Sequence, residues 1–571
     1  MNAEEQLKQL KDEICSTNDF LTDSVIQVFP IEASIGKTYS MIEALKACAH
    51  EIRTLVVTRL IEEQERIASA LRETLGDSVL VYNNQHQVST KCILEANVVI
   101  ITHEKYKRLC VNKEEAGVFS KDRQLLIIDE HIDLLSYHSI NINTINDARR
   151  LLYSSGNENV GELYATIVAP IKKEIDDKFI KSGNVEWLGK AFMRRDIDEQ
   201  IKYMVSQLKS NKVNVNGLKK CSIKDTQKLI EHIESLRYYF NTNKLLIDTG
   251  EIYSCNLDIR HLDSFNKIIL LDASASFVEL YKSKMFNVHK MKRVIDHGNT
   301  TFIHVDCNTT NMAKRTKPEN VKNIENYISR NLCNTDKGVA FASKDERDSS
   351  MYSSEQNQIE VVTFAESRGR NDWSTCNKAF VVHTQSLPPY AYIFQFLYYF
   401  PEEASNIIND NQSIEFKSGE GRQWTFINNS SLHWLRITDI ASNFYQSVKR
   451  VDRNRYNRID NVELHIMCSN KQVVEMVRSQ LSGLKEVRYL ELNEAKKKEA
   501  VIQLADAHKV YDVLSNLSKD ECKIKEVREM CGMKHRETFN RALKCMEENI
   551  ITLESLGITK RGHKFIVTRA S

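Results

Sequence analysis

"VIQVFPIEASIGKTYSMIEAL", residues 25–45, passes from an apolar run through a turn into a helical pattern. The turn, Ile31 to Thr38, closes on Gly36-Lys37-Thr38, the tail of the phosphate-binding pattern G-x-x-x-x-G-K-[ST]. Ile31 stands where the pattern opens on glycine, and Ser34 stands where a second glycine is common. Strand, loop and helix come in the order such a site needs. Gly36 lets backbone approach a phosphate, Lys37 reaches the β- and γ-phosphates, and Thr38 offers a hydroxyl to Mg²⁺. A plain strand–helix turn is the alternative for this stretch alone.

Working outward, short runs rich in Val, Ile and Leu alternate with amphipathic stretches. "VIQVF" (25–29), "TLVVT" (54–58), "VVIIT" (98–102), "LLIID" (125–129) and "IILLD" (268–272) have the near-continuous apolar character of buried parallel strands. Helical patterns such as "IEEQERIASALRETL" separate several of them, which makes the class α/β. From about 138 to 250 the pattern turns helical and reads as an insertion within the first domain. A second α/β block follows, with strands expected at "TFIHVD" (301–306), "KGVAFAS" (337–343), "IEVVTF" (359–364), "KAFVVHT" (378–384) and "VELHIMC" (462–468). Expected boundaries are 1–298, 299–504 and 505–571.

Composition narrows the function classes. The chain has 571 residues, 42% of them hydrophobic and 27% charged, so it has room for several ordinary cores. No run approaches the ~20 apolar residues of a membrane span, and the charged start MNAEEQLKQLKDE is not a secretory leader. Thirteen cysteines without a C-x-x-C point to a reducing cytoplasm and away from zinc or iron–sulfur sites. Net charge is +2, so any nucleic-acid surface must be a local patch.

"LLIIDEHID" empties an apolar strand into Asp129-Glu130-His131. An aspartate at such an end can hold the metal of a nucleotide, and the following carboxylate can polarise water. A solvated strand end would look similar. Its place downstream of a Gly-Lys-Thr loop is what carries weight. The pair of motifs resembles the superfamily 2 helicases, with a DEAH-like box reading D-E-H-I. "LVVTRLIEEQ" resembles that family's first nucleic-acid-contacting motif, with Thr58 and Arg59 in the phosphate-contacting places. "VVIITHEKY" resembles the next, with Thr102 and His103. Ser274-Ala275-Ser276 resembles the S-A-T motif that couples ATP site to strand, with serine for threonine.

Two segments compete for the family's Q-x-x-G-R-x-x-R finger motif. "YQSVKRVDRNR" supplies Gln446, Arg450 and Arg453 at the family spacing, with Lys449 in the place of glycine. "ESRGRNDW" lacks the glutamine and the second arginine, so Gly369 and Asn371 instead match the preceding nucleotide-sensing G-x-N turn. Standing alone, the arginine segment would read as a basic solvated helix.

From about 505 the chain reads as helix, turn at Gly532, second helix, then a hairpin closing at 560–563, and it resembles a winged helix–turn–helix. Lys534, Arg536 and Arg541 would face nucleic acid from the second helix, with Lys560 and Arg561 on the wing. Use of such a unit for protein contact or internal packing is the alternative.

The resemblance implies tandem RecA-like motor domains, a helical insertion in the first, and a small C-terminal winged-helix domain. It implies ATP and Mg²⁺ in the cleft: Lys37, Thr38, Ser34 and Gly36 on phosphates, Asp129 and Thr38 on the metal, Glu130 on water, Arg450 and Arg453 from the second lobe. It further implies a helicase or translocase on single-stranded or forked DNA, with RNA open, of the divergent kind common in phages and mobile elements. Replication or nuclease proteins are the expected partners. An ATP-gated binder that does not unwind, or a translocating subunit of a nuclease complex, are the alternatives.

Overall fold

The computed structural model describes the chain apart from residues 1, 17–24, 155, 178–183, 189–190, 211–222, 224, 249, 258–263, 334, 353–358, 410–413, 418–424, 427–429, 452, 454–460, 493–505, 508, 518–520, 534, 550–552, 554–555, 557 and 569–571. It divides into two compact units, residues 1–490 and 491–571.

The first unit opens with α1 (Ala3–Cys15) and then builds β1 (Ile26–Phe29), α2 (Lys37–Cys48), β2 (Thr54–Thr58), β3 (Val79–Tyr82), β4 (Val98–Thr102) and β5 (Leu125–Asp129). After an insertion carrying β6 (Leu135–Asn141), β7 (Asn184–Trp187), β8 (Leu246–Asp248) and β9 (Glu251–Leu257), the chain returns with β10 (Lys267–Leu271) and β11 (Phe286–Val288). The resulting sheet runs β11-β1-β10-β5-β2-β4-β3, and its strand pairs are parallel. Every residue of β1, β2, β5 and β10 is buried, as helix-covered parallel strands require. The expected strands stand within a residue or so of their places. Of the edge strands, β11 is the three-residue run FNV, and β3, VLVY, is apolar but alternates between buried and half-buried.

Register then positions chemistry. Phe29 lies opposite Leu271, and Leu271 opposite Asp129, so β1, β10 and β5 end level. Their following loops hold Ile31–Thr38, Asp272–Ser276 and Glu130–His131. Loops at the carboxyl ends of adjacent parallel strands are where this architecture places ligands.

A second sheet follows within a run that carries β12 (Thr300–Asp306), β13 (Gly338–Ala342), β14 (Ile359–Thr363), β15 (Lys378–Val381), β16 (Ile414–Lys417), β17 (Thr425–Phe426), β18 (Val462–Met467) and β19 (Glu486–Glu491). Its order is β14-β13-β15-β18-β12-β19, with β16 and β17 excluded. The two parallel sheets, each with its helices, are tandem RecA-like lobes.

The insertion is not wholly helical. Helices Ile142–Ser154, Glu158–Asp177, Ile197–Ser210 and Thr226–Ser235 share a core with Tyr239 and Phe240, the end of the aromatic run "RYYF" (237–240). Beside them, β6 and β9 pair antiparallel from Leu135↔Leu257 to Asn141↔Glu251, because "LSYHSIN" and "EIYSCNL" can bury one side of a sheet. This sheet runs β17-β16-β7-β8-β9-β6, so strands from the second lobe's chain complete it. Below it, Leu135, Leu246 and Tyr253 of the insertion share one core with Tyr392, Ile393 and Phe396 of the helix Pro389–Tyr399. Each such side chain fully buried is worth about 1.5–3 kcal/mol, so this seam is adhesive.

The second unit, by itself, packs helix Ile524–Met530 and helix Arg536–Asn549 against a three-stranded antiparallel sheet. The sheet is β20 (Glu521–Lys523), β21 (Ile558–Arg561) and β22 (Lys564–Val567), in the order β20-β22-β21. Gly532 and Gly562 take positive φ at the interhelical and hairpin turns. Val527, Phe539, Met546 and Phe565 lie in its core.

Candidate nucleotide site between the lobes

Gly36, at φ 107°, caps α2 and turns the loop so that Lys37 opens the helix. Ser34 is also left-handed, at φ 75°. Lys37 Nζ lies 3.3 Å from Asp129 Oδ1 and donates to the Leu271 carbonyl at 3.2 Å. Thr38 donates its hydroxyl to Asp129 Oδ2 at 3.3 Å. The loop and the end of β5 therefore converge.

Glu130 follows with φ 69°, a strained conformation for a side-chain-bearing residue, of the kind that gathers at functional sites. Its Oε1 takes Arg450 Nη2 at 3.0 Å, across the cleft. Its Oε2 is buried and accepts no hydrogen bond. Burial alone would raise the carboxyl's pKa, but Arg450 and Lys37 beside it bring it down to about 2. Arg453 donates from Nε to Ser34 Oγ at 2.9 Å and from Nη1 to Asn371. Burial and the neighbouring Arg450 lower Arg453 to about 10, well above the neutral range. Both arginines thus reach across to the first lobe.

Arg370 does not. Its guanidinium pairs with Asp372 at 2.7 Å, and only its carbonyl joins the site, accepting from Arg450 at 3.2 Å. Gly369, at φ 77°, abuts the first lobe so closely that a Cβ there would stand 3.0 Å from Leu60 Cδ1.

Ser274 is 1% exposed and joins the lobes: it accepts from Ser442 at 2.8 Å and from Gln446 at 3.4 Å. It donates to Asp272 at 2.7 Å, Asp272 accepts from Tyr281 at 2.6 Å, and Tyr281 meets His131 at 2.8 Å. Ala275 is buried, and Ser276 accepts from Arg293 at 2.8 Å. Sequence reasoning missed Asp272 as a hub, although a second apolar strand ending in aspartate was legible in "IILLD".

Among the expected nucleic-acid residues of the first lobe, Thr58 and His103 are buried at 1% and 7% exposure. Thr58 donates to the Leu60 carbonyl at 3.4 Å. His103 Nε2 meets the Asp129 carbonyl at 2.9 Å, and burial holds the ring neutral by pushing its pKa down to about 4. Thr102 caps its helix, accepting from Lys105 N at 3.1 Å. Arg59 lies in a cavity with Glu130, His131 and Arg368, its pKa lowered first by burial and then by Arg368. Arg59 stands in a cavity shared by both lobes. In the second unit Arg536, Arg541, Lys560 and Arg561 are exposed, while Lys534 lies outside the described residues.

Mg²⁺ takes few protein ligands and completes its octahedron with phosphates and water. Thr38 and Asp129 suit that pattern, with one Asp129 oxygen accepting no hydrogen bond. Among the described residues there is no cluster of three or more His, Cys, Asp or Glu side chains that would hold a metal alone. A separate cavity of about 370 Å³ opens beside Ser34 and Arg453, lined also by Val294, His297, Val448 and Lys449.

No protein-family model matches the sequence, and no curated protein matches it. Among solved structures, the chain is similar to S. tokodaii Xpd4, at 12% identity, with 86% of this chain and 99% of that one covered and a TM-score of 0.49. It is also similar to S. cerevisiae Dbp5 bound to RNA and ADP BeF3, at 8% identity, 87% and 92% coverage and a TM-score of 0.36. The DEAD-box helicase Mss116 bound to ssRNA and UDP-BeF matches at 10% identity, 95% and 85% coverage and 0.32.

Proposed function

We propose that this chain is an ATP-dependent helicase or translocase of nucleic acid, acting on DNA in replication or recombination. One observation carries the reading. Arg450 and Arg453 of the second lobe touch Glu130 and Ser34 of the first, where they would meet a nucleotide's terminal phosphate. ATP would lay its phosphates on Gly36, Lys37 and Thr38. Mg²⁺, held by Thr38 and Asp129, would neutralise charge on the β- and γ-oxygens.

Hydrolysis joins a water oxygen to the γ-phosphorus and breaks its bond to the β–γ bridging oxygen, giving ADP and phosphate. Arg450 and Lys37, which now neutralise Glu130, are the cations a triphosphate would recruit. Glu130 is then left to hold the attacking water. The arginines stabilise charge developing on the transferring group. Gln446 and Ser442, bonded to Ser274, connect the finger helix with the first lobe, so a change at the γ-phosphate is felt by both.

DNA is favoured over RNA by the second unit, whose helix–turn–helix and hairpin we read as a winged helix with Arg536, Arg541, Lys560 and Arg561 exposed. The test is ATP hydrolysis with and without single-stranded DNA, RNA and duplex, followed by strand displacement on tailed substrates. Hydrolysis stimulated by DNA, with displacement, is the expected result. ATP-dependent binding without turnover would instead mark a gated binder, and preferential stimulation by RNA would change the substrate.

A further inference from the structure

Glu32 lies in the phosphate loop and is 1% exposed. Its Oε2 accepts from the backbone N–H groups of Val294 and Ile295 at 3.0 and 3.1 Å, in the segment that leads into the second lobe. Its Oε1 stands 3.4 Å from Lys449 Nζ. Lys449 follows the helix Ser430–Val448 of the second lobe and meets His297 Nε2 at 2.9 Å. His297 Nδ1 lies 3.0 Å from the Ser482 carbonyl and must donate there, which leaves Nε2 of the neutral ring to accept from the ammonium. Loop, linker, finger helix and the turn at Ser482 thus meet around one buried charge.

Taking such charges out of water is costly, and a buried ion pair is poor evidence of net stabilisation. Its position suggests another use. The residue after Lys449 is Arg450, which reaches Glu130, and three further on Arg453 reaches Ser34. Both arginines must release these partners to receive a triphosphate. Glu32 and Lys449 need release nothing, since neither faces the phosphate position.

The geometry points to Glu32 and Lys449 as positioning residues: a buried ion pair across the lobes that holds Arg450 and Arg453 in register with the phosphate loop. This inference rests on the hydrolytic reading above. A displacement of about 1 Å at a reacting centre can cost on the order of 10²-fold in rate, so a fixed point one residue from the finger has leverage.

The test uses the full chain with Lys449→Met, Lys449→Arg, Glu32→Gln and the double variant Glu32→Gln/Lys449→Met. Glu32→Gln keeps an acceptor for the two linker amides while removing the charge. Each of Lys449→Met and Glu32→Gln should lower kcat on the order of tenfold or more with a much smaller change in KM for ATP. The double variant should be no slower than the slower single, since both remove one pair. Lys449→Arg should recover most of the rate. Amide hydrogen exchange at Lys449–Val451 should quicken in both single variants while the helix Lys37–Cys48 keeps its protection. Wild-type kcat in Lys449→Met, or losses that multiply in the double variant, would overturn the inference. If the parent chain hydrolyses no ATP, the hydrolytic reading fails, and the exchange measurement decides the pin alone: unchanged protection refutes it.

Discussion

Lys37 is held by Asp129 and the Leu271 carbonyl, two contacts that a phosphate would replace. Lys37→Ala should therefore abolish ATP hydrolysis while the melting temperature stays close to that of the parent. Glu130→Gln should slow turnover by roughly 10²-fold or more yet retain bound ATP, read from the ATP:ADP ratio in a single-turnover experiment. Arg450→Ala should cost about 10³-fold in kcat with little loss of nucleotide affinity. Arg370→Ala should not imitate it, since that side chain turns away to Asp372. A loss confined to Arg370 would reverse the assignment of the finger. Burial pushes Lys449 down to about 8, against the pull of Glu32, and Arg453 and Arg293 push the same way as burial. His297 Nε2 also lies against its ammonium, and its backbone N–H donates to the Tyr445 carbonyl. Its unfolded value is about 10.4. Between these values the unfolded chain binds the extra proton, so this group's contribution to stability rises with pH. In the folded chain the pin loses its charge as pH passes about 8. Turnover should fall as pH passes 8 while denaturant stability attributable to Lys449 climbs, and Lys449→Arg should remove both trends. These residues differ in how legible they were. Gly36-Lys37-Thr38 and Asp129-Glu130 are local strings with known chemistry. Glu32 is an ordinary loop glutamate until its partners, 262 and 417 residues away, are in place.

At the scale of elements, continuous apolar runs marked the strands that are buried on both sides, and their ends carried the site. The insertion's sheet was hidden because its strands are half-polar and its pairings join distant segments, Ile414 with Val185 among them. The turn at Gly369 has a testable rigidity. Its left-handed φ costs a residue with a Cβ about 1–2 kcal/mol, and the added methyl would press on Leu60. Gly369→Ala should lower the denaturation midpoint accordingly and loosen the contact between the turn and the loop after β2. An unchanged midpoint would mean that the turn relaxes freely.

At the scale of the molecule, residues from 491 onward form their own compact unit and supply none of the residues of the proposed ATP cleft. Removing that unit should leave basal hydrolysis in place and weaken binding to duplex or forked DNA. Within the full chain, Arg536→Ala and Lys560→Ala should each reduce the slope of log affinity against log salt by about one, measured on a DNA duplex. Slopes unchanged in both, with binding intact after the deletion, would make the unit a docking module for protein. Among the described residues no helix is long and apolar enough to cross a membrane.

The antiparallel sheet that takes β16 and β17 from the second lobe's chain has a kinematic consequence. Two bodies joined at one place can swing in any direction, but two bodies joined at two separated places keep one easy rotation, about the line through both. Here the joints are the linker around Val294–His297 and the seam where β16 pairs with β7. Sliding or twisting of one lobe over the other would have to break the β16–β7 backbone hydrogen bonds first, so an opening of the proposed cleft should follow a single arc.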